Sequence, residues 1–178
     1  GENLPQFTSC CPAWVKYAEH NESDFLKNLS SCRSPQQMFG SLIKKHWATE
    51  LGKKPEDIYV VSIMPCTAKK YEANQPKFAT DGVKDVDLVL TTQELARMIR
   101  EAGLVFDALD IESFDTPFGF TSGAGVIFGA TGGVAEAVLR AAHEFVTGEP
   151  IEQINFEEVR GFDSLKEATV EIQGNEIK

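Results

Sequence analysis

The segment Ile58–Met64 reads IYVVSIM and is followed at once by Pro65-Cys66-Thr67-Ala68-Lys69-Lys70. A nearly continuous run of apolar, largely β-branched residues is typical of a strand that is buried on both faces. The residues that follow it predict a turn into a helix. Cys66 then lies at the carboxyl end of a buried strand, which is where open α/β sheets place their ligands.

Helices are predicted upstream of this strand. Pro12 to His20 reads as a short helix, and a longer helix runs from Pro35 to about Leu51, with Ser34 as its N-cap and Gln37 in the capping-box position. Helical spacing predicts that the apolar side chains of the longer helix belong to the core. These side chains are Met38, Phe39, Leu42, Ile43 and Trp47.

A second strand and a second helix follow downstream. Val86–Leu90 predicts another buried strand, and the polar residues Thr91–Glu94 cap the helix after it, which ends near Gly103. Strands that alternate with helices predict an α/β fold, with a parallel or mixed β-sheet flanked by helices.

The last third of the chain is less regular. The stretch 114–133 is rich in glycine, phenylalanine and threonine and has no helical period, whereas 134–146 reads as a well-formed helix. The stretch 156–177 predicts short strands with a hairpin at Gly174–Asn175.

Length and charge restrict the class of protein. A chain of 178 residues with 42% hydrophobic content suits one soluble domain with a real core. The net charge of −10 argues against nucleic acid as a partner. No apolar run approaches the ~20 residues of a membrane span, and the first residues do not resemble a signal peptide. We therefore expect a cytoplasmic protein with reduced thiols.

The adjacent thiols of Cys10 and Cys11 lie in the segment FTSCCPAW, residues 7–14. Two neighbouring cysteines cannot easily form an unstrained disulfide or share one metal atom, so we expect them to have different roles. Pro12 is favoured at the first position of a helix, which makes Cys11 a candidate N-cap. The positive potential at a helix N-terminus stabilises a thiolate as a ligand or nucleophile.

Several other candidates have two readings each. Cys66 is either a ligand or an inert buried thiol. Lys69 falls in the first turn of a helix, where its charge opposes the helix dipole unless an anion lies nearby, and it otherwise extends into solvent. Cys32 is interpreted as structural. Ser30 either relays protons or satisfies the backbone of a turn. The glycines of 123–133 either expose N–H groups to an anionic ligand or allow close packing; their spacing fails the dinucleotide-binding fingerprint by one residue.

Four motifs together resemble the catalytic domain of iron-only ([FeFe]) hydrogenases, over essentially the whole chain. In chain order they are Thr8-Ser9-Cys10-Cys11-Pro12-x-Trp14, Ser34-Pro35-Gln36-Gln37, Met64-Pro65-Cys66-Thr67-x-Lys69-Lys70-x-Glu72, and the glycine-rich segment 123–137. The resemblance implies reversible H₂ oxidation and proton reduction at an H-cluster, in which a [4Fe–4S] cubane is joined to a two-iron subcluster that carries CO, cyanide and a bridging amine.

The resemblance also implies roles for individual residues. Cys11 and Cys66 would be two of the four cubane ligands, and Cys10 would pass protons to the bridging amine. Ser30 would lie on the proton path, and Lys69 would donate to an iron-bound cyanide. The pocket of the two-iron subcluster would be lined by Gln36, Met64, Pro65, Thr67, Phe128 and Gly129. Soft thiolates suit such clusters.

The match is incomplete. The family's third motif, with two further cysteines in C-x-x-x-C spacing, is absent, and Phe120 stands where an acidic residue is expected. The sequence is therefore interpreted as a piece of one lobe of the catalytic domain, spanning 1–178 and truncated at both ends, with no cluster and no turnover of its own. A regulatory relative and a cluster-free binding module are the alternatives. Ferredoxin or NAD(P)H-linked redox subunits and H-cluster maturation enzymes are the partners expected for the full-length protein.

Overall fold

The computed structural model describes residues 5–120, 122–151, 154–155, 157–158, 166–172 and 174–177. The chain forms two compact units, Gly1–Ser113 and Phe114–Lys178. A separate group of buried apolar side chains lies in each unit. None of the helices in the described part of the chain has the length and apolar character that a membrane crossing requires.

The first unit contains five α-helices and four strands among its described residues. Its helices are α1 (Pro12–Asn21), α2 (Pro35–Leu42), α3 (Ala48–Glu50), α4 (Ala68–Ala73) and α5 (Thr92–Glu101). Its strands are β1 (Val61–Met64), β2 (Ala79–Thr80), β3 (Val83–Lys84) and β4 (Leu88–Thr91). A π-helical turn at Ile43–Trp47 joins α2 to α3, so the long helix predicted from Pro35 to about Leu51 is confirmed.

The central sheet is a parallel pair, as the predicted α/β class requires. Strand β1 pairs with β4 in a register that places Val61 opposite Leu88 and Met64 opposite Thr91. The hairpin of β2 and β3 lies between them along the chain and is antiparallel. A strand–helix–strand path with parallel pairing confirms the fold class predicted from the alternation of elements.

The prediction that the first strand is buried on both faces is wrong for this chain. Val60 and Val89 are buried in the core, but Val61 and Ile63 are 44% and 41% exposed. Successive side chains of a strand point to opposite faces, and the described residues cover only one face of this two-stranded sheet. The strand also begins at Val61 rather than Ile58, because the N–H of Val60 donates to the Asp87 carboxylate at 2.6 Å.

Helix α2 also buries a different face from the predicted one. From the N-cap of α2 to the start of α3, the buried residues are small or polar, and all of them except Gln36 recur at helical spacing: Ser34, Gln36, Gln37, Gly40, Lys44 and Ala48. Of the apolar side chains predicted to lie in the core, Met38, Phe39 and Leu42 are instead between 43% and 50% exposed. Ile43 does pack against the core cluster, as predicted. Periodicity alone favours the apolar face, but close approach to the backbone at Asp85 selects the face that carries Gly40.

One half-buried and one fully buried carboxylate connect the helical layer to the chain before β4. Lys44 Nζ lies 2.8 Å from Asp87 and also donates to the carbonyls of Pro55 and Ile58. Asp85 is fully buried, accepts a hydrogen bond from Arg33 at 2.6 Å and accepts another from Thr80 at 2.9 Å. Buried charges are tolerated when they are paired and hydrogen-bonded in this way.

The contact at Gly40 gives a first prediction. A Cβ atom built on Gly40 would lie 2.5 Å from the Asp85 carbonyl oxygen and 2.8 Å from Val86 Cγ2. We expect Gly40→Ala to lower the free energy of unfolding by about 1–3 kcal/mol, because overpacking forces the backbone to shift. Urea denaturation of the chain measures this loss.

The control for Gly40→Ala is Ser41→Ala on the same helix, which adds no volume and should change the free energy of unfolding by less than ~0.5 kcal/mol. Equal stabilities of the Gly40→Ala variant and the unmodified chain would contradict the close packing of α2 on Asp85.

The cap predicted at Thr91–Glu94 is confirmed and is a capping box. The Glu94 backbone N–H donates to the Thr91 hydroxyl, and the Glu94 carboxylate accepts from the Thr91 backbone N–H. Hydrogen bonds from Lys70 and from this backbone N–H lower the pKa of Glu94 to about 2. The cap therefore stays ionised well below neutral pH and also ties α5 to α4 through Lys70. At Ser34, by contrast, the predicted capping box is only half formed, because the Gln37 N–H donates to Ser34 but the Gln37 side chain has no hydrogen-bond partner among the described residues.

The second unit consists of two helices and short strands among its described residues. These are α6 (Gly123–Ile127), α7 (Gly133–Thr147), β5 (Glu157–Glu158), β6 (Lys166–Glu167), β7 (Val170–Ile172) and β8 (Asn175–Ile177). Helix α7 and the β7–β8 hairpin with Gly174 at a φ of 77° confirm the predictions for these segments. The predicted start of the strand region, Phe156, lies outside the described residues.

Helix α6 falls in a stretch that was predicted to have no helix. Its glycines give no hydrophobic period, so nothing in the pattern marks this single short turn. A Cβ on Gly133 would lie 1.7 Å from the Ile127 carbonyl oxygen. Of the two interpretations of the glycine-rich segment, close packing is therefore the one that applies at Gly133, where the start of α7 lies directly against the end of α6.

Candidate functional site

The segment before the paired cysteines is fixed to a loop of the first unit. Phe7 forms a parallel bridge with Leu29, since its N–H donates to the Asn28 carbonyl and its own carbonyl accepts from the Ser30 N–H, both at 2.8 Å. The Ser9 hydroxyl donates to the Cys32 carbonyl at 3.0 Å. Cys10 therefore follows a short length of chain that is held at two points.

Ser30 and Cys32 form one turn. The Cys32 backbone N–H donates to the Ser30 hydroxyl oxygen at 3.2 Å, which is the contact expected of a serine that satisfies a turn. Cys32 is exposed, and its backbone rather than its thiol makes these contacts. A proton-path role for Ser30 stays a prediction.

Cys11 is the N-cap of α1, as predicted. Its side chain makes no capping hydrogen bond, it is exposed, and Pro12 occupies the first helical position. Cys10 is half-buried and its carbonyl oxygen accepts a hydrogen bond from Lys69 Nζ at 2.6 Å. The two adjacent cysteines thus have different surroundings, which agrees with the expectation that they have different roles.

Lys69 lies in the first turn of α4, as predicted, and its charge is balanced by a carboxylate. Lys69 Nζ lies 2.6 Å from Glu72 Oε2, and the two side chains are 12% and 5% exposed. The second oxygen of Glu72 accepts a hydrogen bond from the Ser34 hydroxyl at the start of α2. In this structure the anion near Lys69 is therefore Glu72, and the alternative reading, in which Lys69 extends into solvent, does not hold.

Gln36 connects α2, α4 and the sheet. Its side-chain nitrogen donates to the Lys69 carbonyl at 3.4 Å, and its oxygen accepts from the Ser62 hydroxyl of β1 at 2.9 Å. The structure therefore brings three of the predicted site residues, Cys10, Gln36 and Lys69, into one hydrogen-bonded network.

The residues around Cys66 lie between β1 and α4. Cys66 is half-buried and its carbonyl accepts from the Lys69 N–H at 3.3 Å, but the N-cap of α4 is Thr67. Pro65 and Thr67 are exposed. Met64 packs against the core cluster of Val60, Ala73, Val86 and Val89. Placement of these residues in a subcluster pocket stays a prediction.

Phe128 and Gly129 belong to the second unit. Phe128 is the C-cap of α6 and is 44% exposed, and the Gly129 N–H donates to the Val126 carbonyl at 3.2 Å. Phe120, which departs from the family pattern, is 97% exposed. The pocket roles of Phe128 and Gly129 likewise stay predictions.

The motifs assign no role to Glu72, and Ser34 is predicted only as a helix cap. The spacing of Lys69 and Glu72 contains the missing signal, since residues three apart on a helix are neighbours. A lysine placed against the dipole and followed three positions later by a glutamate indicates an internal ion pair.

The donor set of this chain does not by itself fit a [4Fe–4S] cluster, which takes four thiolates. No group of three or more His, Cys, Asp or Glu side chains that could hold a metal ion occurs among the described residues. A cavity of about 60 Å³ in the first unit is lined by residues that include Ser9 and Glu72, but by none of the cysteines. The two predicted ligands, Cys11 and Cys66, would be part of a ligand set that needs further thiolates.

Comparisons with known proteins identify relatives over nearly the whole chain. The family model described as "Iron only hydrogenase large subunit, C-terminal domain" matches residues 1–178. The NADP-reducing hydrogenase subunit HndD of Solidesulfovibrio fructosivorans is 49% identical over 98% of this chain and 30% of its own length. The periplasmic [Fe] hydrogenase large subunit of Nitratidesulfovibrio vulgaris is 48% identical over 98% of this chain and 42% of its own length.

A different kind of relative and a solved structure also match. The cytosolic Fe-S cluster assembly factor narfl of Xenopus tropicalis is 37% identical over 99% of this chain and 38% of its own length. The structure of apo [FeFe]-hydrogenase HydA1 from Chlamydomonas reinhardtii, variant C377H, matches with a TM-score of 0.81 and 42% identity, over 98% of this chain and 44% of that chain. The chain thus spans less than half the length of these relatives.

Proposed function

The chain belongs to the family formed by the C-terminal domain of iron-only hydrogenase large subunits, and we propose that it is part of an [FeFe]-hydrogenase that catalyses reversible H₂ oxidation and proton reduction at an H-cluster. The observation that carries the proposal is the network that joins Cys10, Lys69 and Gln36 beside the strand end that leads to Cys66. In this proposal Cys11 and Cys66 supply two of the thiolate ligands.

The residues of the chain have separate tasks in the proposed site. Cys10 carries a thiol that can hold and move a proton without leaving a fixed charge. Ser30 lies beside the segment that leads to Cys10, since its backbone N–H donates to the Phe7 carbonyl. Lys69 presents an ammonium held in a defined direction, and Gln36 fixes the backbone of α4 against β1. The H-cluster, when bound, supplies the redox chemistry, and the protein supplies binding and orientation.

Hydrogenase activity of the chain alone is not expected. Only two of its cysteines, Cys11 and Cys66, match ligand positions of the family, and four thiolates are needed for the cubane. The redox partners proposed for the full-length protein are ferredoxin or NAD(P)H-linked subunits, and HndD, the relative from S. fructosivorans, is named as NADP-reducing. A cytoplasmic location stays a prediction, because the relatives have names of both cytosolic and periplasmic proteins.

The second candidate function is that of an iron–sulfur assembly factor, a binding module of this family without hydrogen turnover. The observation that favours it is the set of relatives named as cytosolic Fe-S assembly factors, which are 34–37% identical to the chain. The hydrogenases are 48–49% identical, and the chain has Cys10 at the position that the hydrogenase motif requires. These two points support the hydrogenase proposal over the second candidate.

Reconstitution of the 178-residue chain tests the proposed division of the site. With iron and sulfide under reducing conditions, we expect no stable [4Fe–4S] absorption at one cluster per chain, because the predicted ligand set is half of the four thiolates required. Iron and sulfide analysis together with visible absorption measures this. A stable cluster at full occupancy would show that two cysteines suffice or that chains share a cluster.

A further inference from the structure

The carboxylate of Glu72 connects three parts of the first unit, and the proposed function gives it no role. Its side chain is 5% exposed, its Oε2 lies 2.6 Å from Lys69 Nζ, and its Oε1 accepts a hydrogen bond from the Ser34 hydroxyl. Lys69 Nζ in turn donates to the carbonyl oxygen of Cys10 at 2.6 Å. A chain of contacts therefore runs from α2 through Glu72 and Lys69 to the segment that carries the paired cysteines.

We propose that Glu72 is a positioning residue: through Lys69, its carboxylate holds the Cys10–Cys11 segment against the start of α4. The inference rests on the proposed function, in which Cys10 and Lys69 are site residues. Glu72 itself touches neither of the two cysteines in any of the contacts that the structure gives it.

The electrostatics explain why Lys69 needs Glu72. An ammonium in the first turn of a helix faces the positive end of the dipole, and burial removes the water that would otherwise solvate it. The Glu72 carboxylate, one helical turn away, offsets both effects. If the negative charge of Glu72 is removed, rotation of Lys69 into solvent becomes favourable because water then solvates its ammonium. The hydrogen bond from Lys69 to the Cys10 carbonyl would be lost as a result.

The attraction between Lys69 and Glu72 also has a defined direction, because the ammonium of Lys69 forms hydrogen bonds at fixed angles. A lysine side chain has three donors at tetrahedral angles, and two of them are taken by Cys10 and Glu72. Fixing two N–H directions fixes the third. Ser34 keeps the carboxylate in place, since this residue is 2% exposed and also accepts from the Gln37 N–H at the start of α2.

The chain contains a matched control for this ion pair. Lys16 and Glu19 on α1 have the same spacing of three residues and a contact of 3.1 Å, but their side chains are 46% and 42% exposed. An exposed pair of this kind contributes little to local structure. Glu19→Gln therefore removes the same charge in the same helical arrangement and leaves the hydrogen bond from Lys69 to the Cys10 carbonyl in place.

Hydrogen exchange of the 178-residue chain tests the inference without any cluster. In Glu72→Gln we expect the amides of residues 7–14, apart from Pro12, which has no N–H, to exchange about tenfold faster or more, since a buried hydrogen bond to a charged group is lost. Lys69→Met should have the same effect, and the double variant should exchange no faster than either single variant. Glu19→Gln should leave exchange in this segment unchanged.

Three results would overturn the inference. One is unchanged exchange of residues 7–14 in Glu72→Gln, the second is additive effects in the double variant, and the third is an equal rise across α2, α4 and α5, which indicates a general loss of stability. If Glu72→Gln does not fold, Glu72→Asp takes its place under the same criteria, because it keeps the charge and shortens its reach by one methylene group.

Infrared spectroscopy of the full-length protein separates this inference from the proposed function. If iron-bound carbonyl and cyanide bands are present, Glu72→Gln should shift them in the same direction as Lys69→Met, and unshifted bands would overturn the positioning role. If the unmodified protein has no such bands, the proposed function fails, and the exchange data alone decide whether Glu72 holds the Cys10 segment.

Discussion

In the full-length protein that contains this chain, Cys11→Ser is expected to abolish both the [4Fe–4S] absorption and hydrogen turnover. Cys11 is the exposed N-cap of α1, and its side chain makes no capping bond that would compete with a metal. A serine oxygen is a poor substitute for a thiolate on iron–sulfur clusters, which select soft ligands. Visible absorption and hydrogen evolution, measured on the same preparation, report the two losses.

Cys10→Ser provides the contrasting variant. We expect it to leave the cubane absorption intact and to lower turnover by about 100-fold or more, because a positioned proton donor contributes on that scale. Cys32→Ser is the control, since only the backbone of Cys32 makes the contacts that hold its turn. Loss of the cubane in Cys10→Ser, with an intact cubane in Cys11→Ser, would mean that the roles of the two cysteines are reversed.

The second large effect is expected at Lys44, whose ammonium is almost completely buried between α2 and the chain before β4. Lys44→Met should lower the free energy of unfolding by about 3–5 kcal/mol, because it leaves the charge of Asp87 without its buried partner. The carbonyls of Pro55 and Ile58 lose a donor in the same step. Urea denaturation followed by circular dichroism measures the loss.

Lys45→Met is the matched control, because Lys45 is the next residue along the helix and is exposed. Its effect should stay within ~0.5 kcal/mol. Similar losses for the two variants would show that the ion pair between Lys44 and Asp87 does not hold the helix on the sheet.

The fold class can be predicted from local features of the sequence. The caps at Ser34 and Thr91 depend on near neighbours, and the structure confirms them. The parallel pairing of β1 with β4 follows from the alternation of strands and helices along the chain, and the structure confirms it as well. Which side chains are buried cannot be predicted from near neighbours in the sequence. Which face of α2 is covered depends on its approach to Asp85 and on the pairing of Lys44 with Asp87, and both contacts join residues far apart in the chain.

In the candidate site, too, local features can be predicted from the sequence and long-range contacts cannot. The motifs identify Cys10, Cys11, Cys66 and Lys69, and the first-turn position of Lys69 indicates that an anion is needed. The sequence also places Glu72 three residues after Lys69, but it does not show how this carboxylate is held, because its second contact, to Ser34, joins residues 38 positions apart. Residue type and spacing can therefore indicate a site residue and its neighbour on the helix, while the long-range contact that holds this neighbour becomes visible only in three dimensions.

The central claim is that this chain supplies part of a hydrogen-converting site, and hydrogen evolution by the full-length protein tests it most directly. Produced together with H-cluster maturation enzymes and given a reduced artificial electron donor, the full-length protein is predicted to evolve H₂, whereas the 178-residue chain treated identically should evolve none. A full-length protein that contains its [4Fe–4S] cluster and two-iron subcluster but evolves no H₂ would contradict the account and favour a binding module of the same family.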